Sequence, residues 1–259
     1  MYNFKQVTIT NIHKKIFSND DIHYIWKDVD FLYKHRENNK KIVICFHGAV
    51  SNASPHTFRG FNYSYPDTDI LCLSDLMIKK YHKTKKISLS WYLSTSDHNH
   101  FPIYKQIFDN IFKRKKYTKI LFYGSSGGGH PALVFSSLYS KPYKAECLLS
   151  NSQIYLPKYS YFPTLLDHLE IKEEDINLDI EKHILKYGSP EKVHLYTNQR
   201  DENHYTNHAL PFSEFMNKNF KGKIILNIFI GPDPAPNKTN HHVRFPNNTD
   251  DKTYIQKYL

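Results

Sequence analysis

Cysteine is scarce in this chain and follows no pattern: Cys45, Cys72 and Cys147 each sit inside an apolar run, and no two have ligand spacing. An odd, unpatterned set excludes a disulfide framework and a thiolate metal site, and it suits small buried hydrophobes in a reducing compartment. Long apolar runs are missing too. No stretch of about 18 uncharged apolar residues occurs, so no spanning helix is expected. Nor do the first thirty residues hold an apolar run ending in a small-residue cleavage site, and the expectation is a cytoplasmic protein. No internal repeat, low-complexity linker or composition break divides the 259 residues. A single domain over 1–259 is expected, long enough to bury a full core.

Acid is the minority charge, 25 Asp and Glu against 35 Lys and Arg, which leaves a formal net charge of +10. A positive field raises the encounter rate with anionic ligands such as an acidic polysaccharide, a phospholipid headgroup or a nucleotide-bearing donor. The lysines are dispersed, with short clusters at Lys79-Lys80, Lys85-Lys86 and Lys113-Arg114-Lys115-Lys116. A solvated basic surface accounts for them, and no nucleic-acid partner is expected.

Apolar runs with strand character alternate with longer segments of helical period. Residues 7–9 and 31–33 read as short strands at an antiparallel sheet edge, and Lys41–Phe46 as a buried parallel strand. Residues 70–73, 87–89, 119–123, 146–149, 193–197 and 223–230 are further strand candidates. Helices are expected over 101–112, 131–139 and 210–219. The Tyr/Pro-rich and acidic stretch within 154–190 reads as a cap or a lengthened crossover. This alternation predicts an α/β fold, a mostly parallel central sheet flanked by helices on both faces, with a small insertion.

The strand over 119–123 runs into Gly124-Ser125-Ser126-Gly127-Gly128, and a helix pattern follows. A Gly-x-Ser-x-Gly turn between strand and helix lifts its serine above the end of a sheet, as nucleophilic acyl transfer requires. Only Ser126 has glycines at both flanking positions, which sets it apart from Ser125. The turn lacks the Gly-Lys-Ser/Thr ending of a nucleotide loop and the Gly-x-Gly-x-x-Gly of a dinucleotide site. The amide of Gly127 opens the following helix and would face a developing oxyanion. Elsewhere, Phe46-His47-Gly48-Ala49 ends an earlier strand, Asp201 and Glu202 follow a late one, and His241-His242 follow the last. The spacings Asp201-x-x-His204 and His204-x-x-x-His208 are ligand-like. Neither HExxH nor a paired-cysteine motif accompanies them, and no metal is expected.

Through YGSSGGG (123–129), FHGA (46–49), the late Asp201 and the histidine pair, the sequence resembles the α/β-hydrolase superfamily from about Lys41 onward. The resemblance implies a catalytic triad of Ser126, Asp201 and His242, with Glu202 the alternative acid and His241 the alternative base. It implies an oxyanion hole of Gly127 and Ala49, Gly48 being the other candidate for the second amide. The segments SWYLST (90–95), SNSQIYL (150–156) and QRDENHYTNHALPF (199–212) are similar to segments of bacterial capsular polysaccharide O-acetyltransferases and accessory-secretion glycan acetyltransferases. That narrower likeness implies acetyl-CoA as acyl donor and an anionic capsular polysaccharide or oligosaccharide as acceptor. It also implies capsule-synthesis proteins as partners and a cytoplasmic location, or one peripheral to the inner membrane. His47, Arg59, Trp91, Gln153 and His204 would line the substrate cleft. An esterase, thioesterase or glycan deacetylase with the same triad is the alternative reading, and a non-catalytic glycan-binding protein is another.

Overall fold

The computed structural model describes residues 4–10, 12, 16–50, 57–94, 100–176, 179–231 and 242–259. Nine strands form one sheet: β1 (Lys5–Thr8), β2 (Asp21–Trp26), β3 (Val29–Lys34), β4 (Lys41–Phe46), β5 (Thr68–Leu73), β6 (Lys119–Ser125), β7 (Glu146–Ser150), β8 (Val193–Asn198) and β9 (Ile224–Phe229). Their order is β1-β2-β3-β5-β4-β6-β7-β8-β9. Strands β5, β4, β6, β7, β8 and β9 run parallel, whereas β3 is antiparallel to both β2 and β5. β2 and β3 form a hairpin closed by Lys27 and Asp28, both at positive φ (47° and 66°), the mirror-image turn that matches strand twist. The sheet is therefore mixed, with its antiparallel pairs on one side.

The apolar runs follow from burial on two faces. In β4, Ile42, Ile44 and Phe46 enter the larger core while Val43 and Cys45 enter the smaller one, so no polar alternation appears in its sequence. Cys45 lies opposite Cys72 of β5 and both remain free thiols, as does Cys147.

The described helices are α1 (Leu76–Lys85), α2 (Phe101–Arg114), α3 (Gly129–Tyr143), α4 (Phe162–Leu169), α5 (Ile180–Tyr187), α6 (Leu210–Asn219) and α7 (Asp251–Tyr258). They are unevenly shared between the faces. Side chains of α2, α3, α5 and α6 build the larger core, with Tyr104, Ile107, Phe108 and Ile111 of α2 at helical spacing. The opposite face is closed by Ile255 of α7 and by Phe58, Tyr63 and Tyr65 from the segment between β4 and β5. Among the described residues no helix is long and apolar enough to cross a membrane.

Two sequence expectations change. The run at 7–9, expected at an antiparallel edge, contributes to β1, which pairs parallel with β2. Residues 87–89 form no strand. Lys86, Trp91 and Tyr92 around them adopt positive φ, and Ile87 and Leu89 owe their apolar character to a third cluster with Trp91, Phe162 and Leu165. Within 154–190, side chains of α5 enter the larger core and those of α4 the third cluster.

The register aligns the carboxyl ends of the central strands. Phe46 of β4 is opposite Gly124 of β6, Ser125 is opposite Ser150 of β7, and Ser150 is opposite Tyr196 of β8. In a parallel sheet, this edge at the point where strand order reverses is where ligand sites form.

Candidate active site

Ser126 leaves the end of β6 with φ 53°, a left-handed conformation that disfavours a side chain by about 1–2 kcal/mol. Backbone packing holds it there. A Cβ on Gly124 would lie 2.0 Å from the carbonyl oxygen of Gly128, and one on Gly128 would lie 2.5 Å from that of Phe46. The turn thus closes on itself and against the end of β4, which only glycine permits at those two positions. Gln153 completes the hold. Its backbone N–H donates to the Ser126 carbonyl at 3.0 Å and its side-chain amide donates to Ser126 Oγ at 3.3 Å. With Oγ accepting from Gln153, the serine proton is left for a base.

Trp91 stands behind Gln153, its indole N–H donating to Gln153 Oε1 at 2.7 Å. Both side chains are buried. They support the serine, the indole being packed by Tyr159, Tyr161 and Phe162.

Gly48 and Ala49 lie beside the turn, a Cβ on Gly48 falling 3.3 Å from Gly127 N. The amide of Gly127 belongs to the first helical turn, whose N–H groups lack intrahelical acceptors. His47 lines the cleft as expected and also braces the loop. Its Nδ1–H donates to the Gly48 carbonyl at 2.7 Å, and its Nε2 accepts from Asp75 N–H at 3.0 Å. Burial lowers its pKa, so the ring is held neutral in one tautomer. Asp75 in turn accepts from Ser90 Oγ at 2.7 Å and Tyr92 N–H at 2.9 Å, which ties the 47–50 loop to the 86–92 segment.

His242 Nδ1 lies 2.7 Å from Asp201 Oδ2, and His242 shares a cleft of 850 Å³ with Ser126, Gly48 and Ala49. Nδ1–H donating to the carboxylate turns Nε2 into the basic nitrogen. His204 occupies the other carboxylate oxygen, Nδ1 to Oδ1 at 2.8 Å, and its ring is buried. Burial alone would raise the Asp201 pKa; the hydrogen bonds and charges of the two histidines override it and hold the carboxyl below the ordinary range. Burial lowers the pKa of His204, with the neighbouring His242 adding to the effect. The two rings are 4.5 Å apart. A neutral His204 therefore avoids repelling an imidazolium at His242. Glu202 opens the helical turn Glu202–His204 with no place in this pairing, and His241 lies outside the described residues.

Asp201, His204 and His242 have the composition of a metal site, their donor atoms lying within 4.8 Å of one another. Each histidine Nδ1–H is committed to a carboxylate oxygen, so coordination through those atoms would require both protons to leave. His208 faces elsewhere, its Nδ1 accepting from Ile154 and Tyr155 N–H at 3.3 and 3.2 Å.

Two residues have structural claims on the site that sequence reasoning does not assign: Asn151 goes unnoticed, and His208 is weighed only for its spacing from His204. Asn151, at φ 39°, donates from Nδ2 to the Val243 carbonyl and accepts at Oδ1 from Asn198 N–H at 2.7 Å. It joins the end of the acid strand to the loop of the base. His208, on the π turn Tyr205–Ala209, pins the backbone immediately after Gln153. The only signal for either is its position within the 150–156 and 199–212 segments. Arg59 keeps its expected place, lining the cleft while ion-paired with Asp251.

No protein-family model matches the chain, and no curated protein matches it in sequence. Solved structures do. A capsule O-acetyltransferase of Neisseria meningitidis serogroup A aligns with TM-score 0.64 and 18% identity, covering 86% of this chain and 91% of that one. The Glycosylation Associate Protein complex of Streptococcus agalactiae aligns with TM-score 0.51 and 14% identity over 78% of this chain and 40% of that one. The acylaminoacyl peptidase of Pyrococcus horikoshii gives TM-score 0.50 and 14% identity over 78% and 34%. These likenesses are of fold: the chain shares a mixed α/β sheet flanked by helices with enzymes of α/β-hydrolase fold.

Proposed function

We propose that the chain is a serine acyltransferase that moves an acetyl group from acetyl-CoA to a hydroxyl of an anionic bacterial capsular or surface polysaccharide. The observation that carries the reading is the 2.7 Å contact of His242 with Asp201 in the cleft that also holds Ser126 on its strained turn. Fold likeness to a capsule O-acetyltransferase supports the choice of acyl group and acceptor.

Ser126 Oγ attacks the thioester carbonyl while its proton passes to His242 Nε2. The amides of Gly127 and Ala49 receive the oxyanion, a term worth several kcal/mol in such sites. Collapse expels the thiolate, which takes the proton from His242 and leaves acetyl on Ser126. A sugar hydroxyl then gives its proton to His242 and attacks the acetyl carbonyl. Collapse forms the sugar ester, and Ser126 recovers its proton.

The test is incubation with acetyl-CoA, with and without an acidic capsular oligosaccharide, read by mass spectrometry. Acetyl on the sugar that requires Ser126 is the expected result. CoA release at the same rate without sugar would assign the chain to hydrolysis instead.

A further inference from the structure

We propose that Arg59 and Arg244, bridged by Asp251, form a subsite for a phosphate ester on the wall of the cleft that contains Ser126. Both arginines line that cleft together with Ser126 and His242. Arg244 stands two residues after His242, its backbone carbonyl held by Ser150 Oγ.

The charges around Asp251 do not balance. Its carboxylate is almost wholly buried, is ion-paired with Arg59, accepts from Tyr63 O–H at 3.2 Å, and meets Arg244 Nη1 only at 3.4 and 3.5 Å. Two guanidinium groups therefore share one carboxylate whose oxygens are already engaged. The neighbouring Asp250 is exposed and caps α7 by accepting from Thr253 N–H at 2.8 Å. Among the described residues one positive charge is left over, and Lys252 on the same cleft adds another.

Hydrogen-bond capacity is left over as well. Nε of Arg59 is buried and has no hydrogen-bond partner among the described residues. Arg244 bears the mark of this crowding, its pKa lowered by burial and then by the charge of Arg59. A tetrahedral oxyanion with several acceptor oxygens answers both deficits, since the planar guanidinium fork presents paired N–H donors at phosphate spacing. The shared chemistry is a phosphate ester, carried by the nucleotide part of the acyl donor or by a phosphodiester in the acceptor polymer. As an assignment to donor or acceptor it rests on the acyl-transfer reading; as a binding site it stands on the two arginines.

Calorimetric titration of coenzyme A and of a phosphodiester-linked oligosaccharide tests it, using wild type, Arg244→Gln, Arg59→Gln and Ser126→Ala. Wild type and Ser126→Ala are expected to bind a phosphate-bearing probe equally. Arg244→Gln, made at a side chain that is 43% exposed, is expected to weaken binding about tenfold while leaving the circular dichroism spectrum unchanged. A response confined to coenzyme A assigns the subsite to the donor, and one confined to the oligosaccharide assigns it to the acceptor. The proposal is overturned if neither probe binds wild type, or if Arg244→Gln and a folded Arg59→Gln bind both probes as wild type does. Undiminished turnover in Ser126→Ala would sink the acyl-transfer reading and leave these titrations untouched, so the two fail separately.

Discussion

His204 Nδ1 lies 2.8 Å from Asp201 Oδ1, the carboxylate oxygen that His242 does not use. The acid is thus held by two imidazoles, one facing the cleft and one buried behind it. His204 touches no reacting atom in this arrangement and acts through Asp201, as a positioning residue. Its replacement by alanine removes one hydrogen bond to a charged acceptor, worth about 1.5–3 kcal/mol. A kcat lower by about 10- to 100-fold with little change in KM is expected. An unchanged kcat would reduce His204 to packing.

Ser126 carries strain that its hydroxyl function requires. Ser126→Ala should abolish turnover and leave stability nearly unchanged. Ser126→Gly should abolish turnover yet raise the melting temperature, because glycine adopts φ 53° freely and relieves about 1 kcal/mol. In a domain of this size that is about 2–4 °C. A melting temperature at or below wild type in Ser126→Gly would show the turn to be unstrained.

Trp91→Phe keeps the ring in its apolar cluster and deletes only the N–H that meets Gln153. The buried Gln153 oxygen is then unsatisfied, at about 1–3 kcal/mol of stability. Gln153 keeps its hydrogen bond to Tyr159 but loses one of its holds, so the amide fixes Ser126 Oγ less firmly and kcat should fall while substrate binding holds. Equal kcat in wild type and variant would detach this pair from the serine.

Acid should destabilise the fold through buried neutral histidines. Burial pushes His130 down to about 4 and His208 down to about 3, and also lowers His47 and His204. The unfolded chain takes up protons near pH 6.5 that the folded chain refuses. Stability is therefore complete above that pH and declines as pH falls toward 4, at up to about 1.4 kcal/mol per pH unit for each such group. Urea midpoints between pH 7.5 and 4.5 measure the slope. His208→Asn, whose Oδ1 can accept where Nδ1 did, should flatten it; a slope equal to wild type would mean that His208 does not carry its share.

The parts of this molecule that alternate or repeat locally are legible in the sequence, and the parts defined by long-range hydrogen bonds are not. Lys41–Phe46 reads as a strand because both of its faces are buried. The turn at Ser126 reads as a strand-to-helix elbow because its glycines are required by backbone contact. Residues 87–89 mislead because burial against α4 leaves the same apolar imprint as burial in a sheet. His47, Trp91 and Gln153 are recognisable as residues near the site, but nothing in their spacing tells that His47 ties Gly48 to Asp75 or that Trp91 holds Gln153 against Ser126. Asn151 offers no pattern at all, since its partners are the backbone of residues 198 and 243.

One side-chain amide therefore couples two carriers of the site that are distant in sequence. A displacement of the end of β8 is passed to the loop after His242 through Asn151, and Gln153, two residues further on, ties Ser126 to the same segment. One short stretch of chain, 151–153, thus fixes the carriers of nucleophile, acid and base relative to one another.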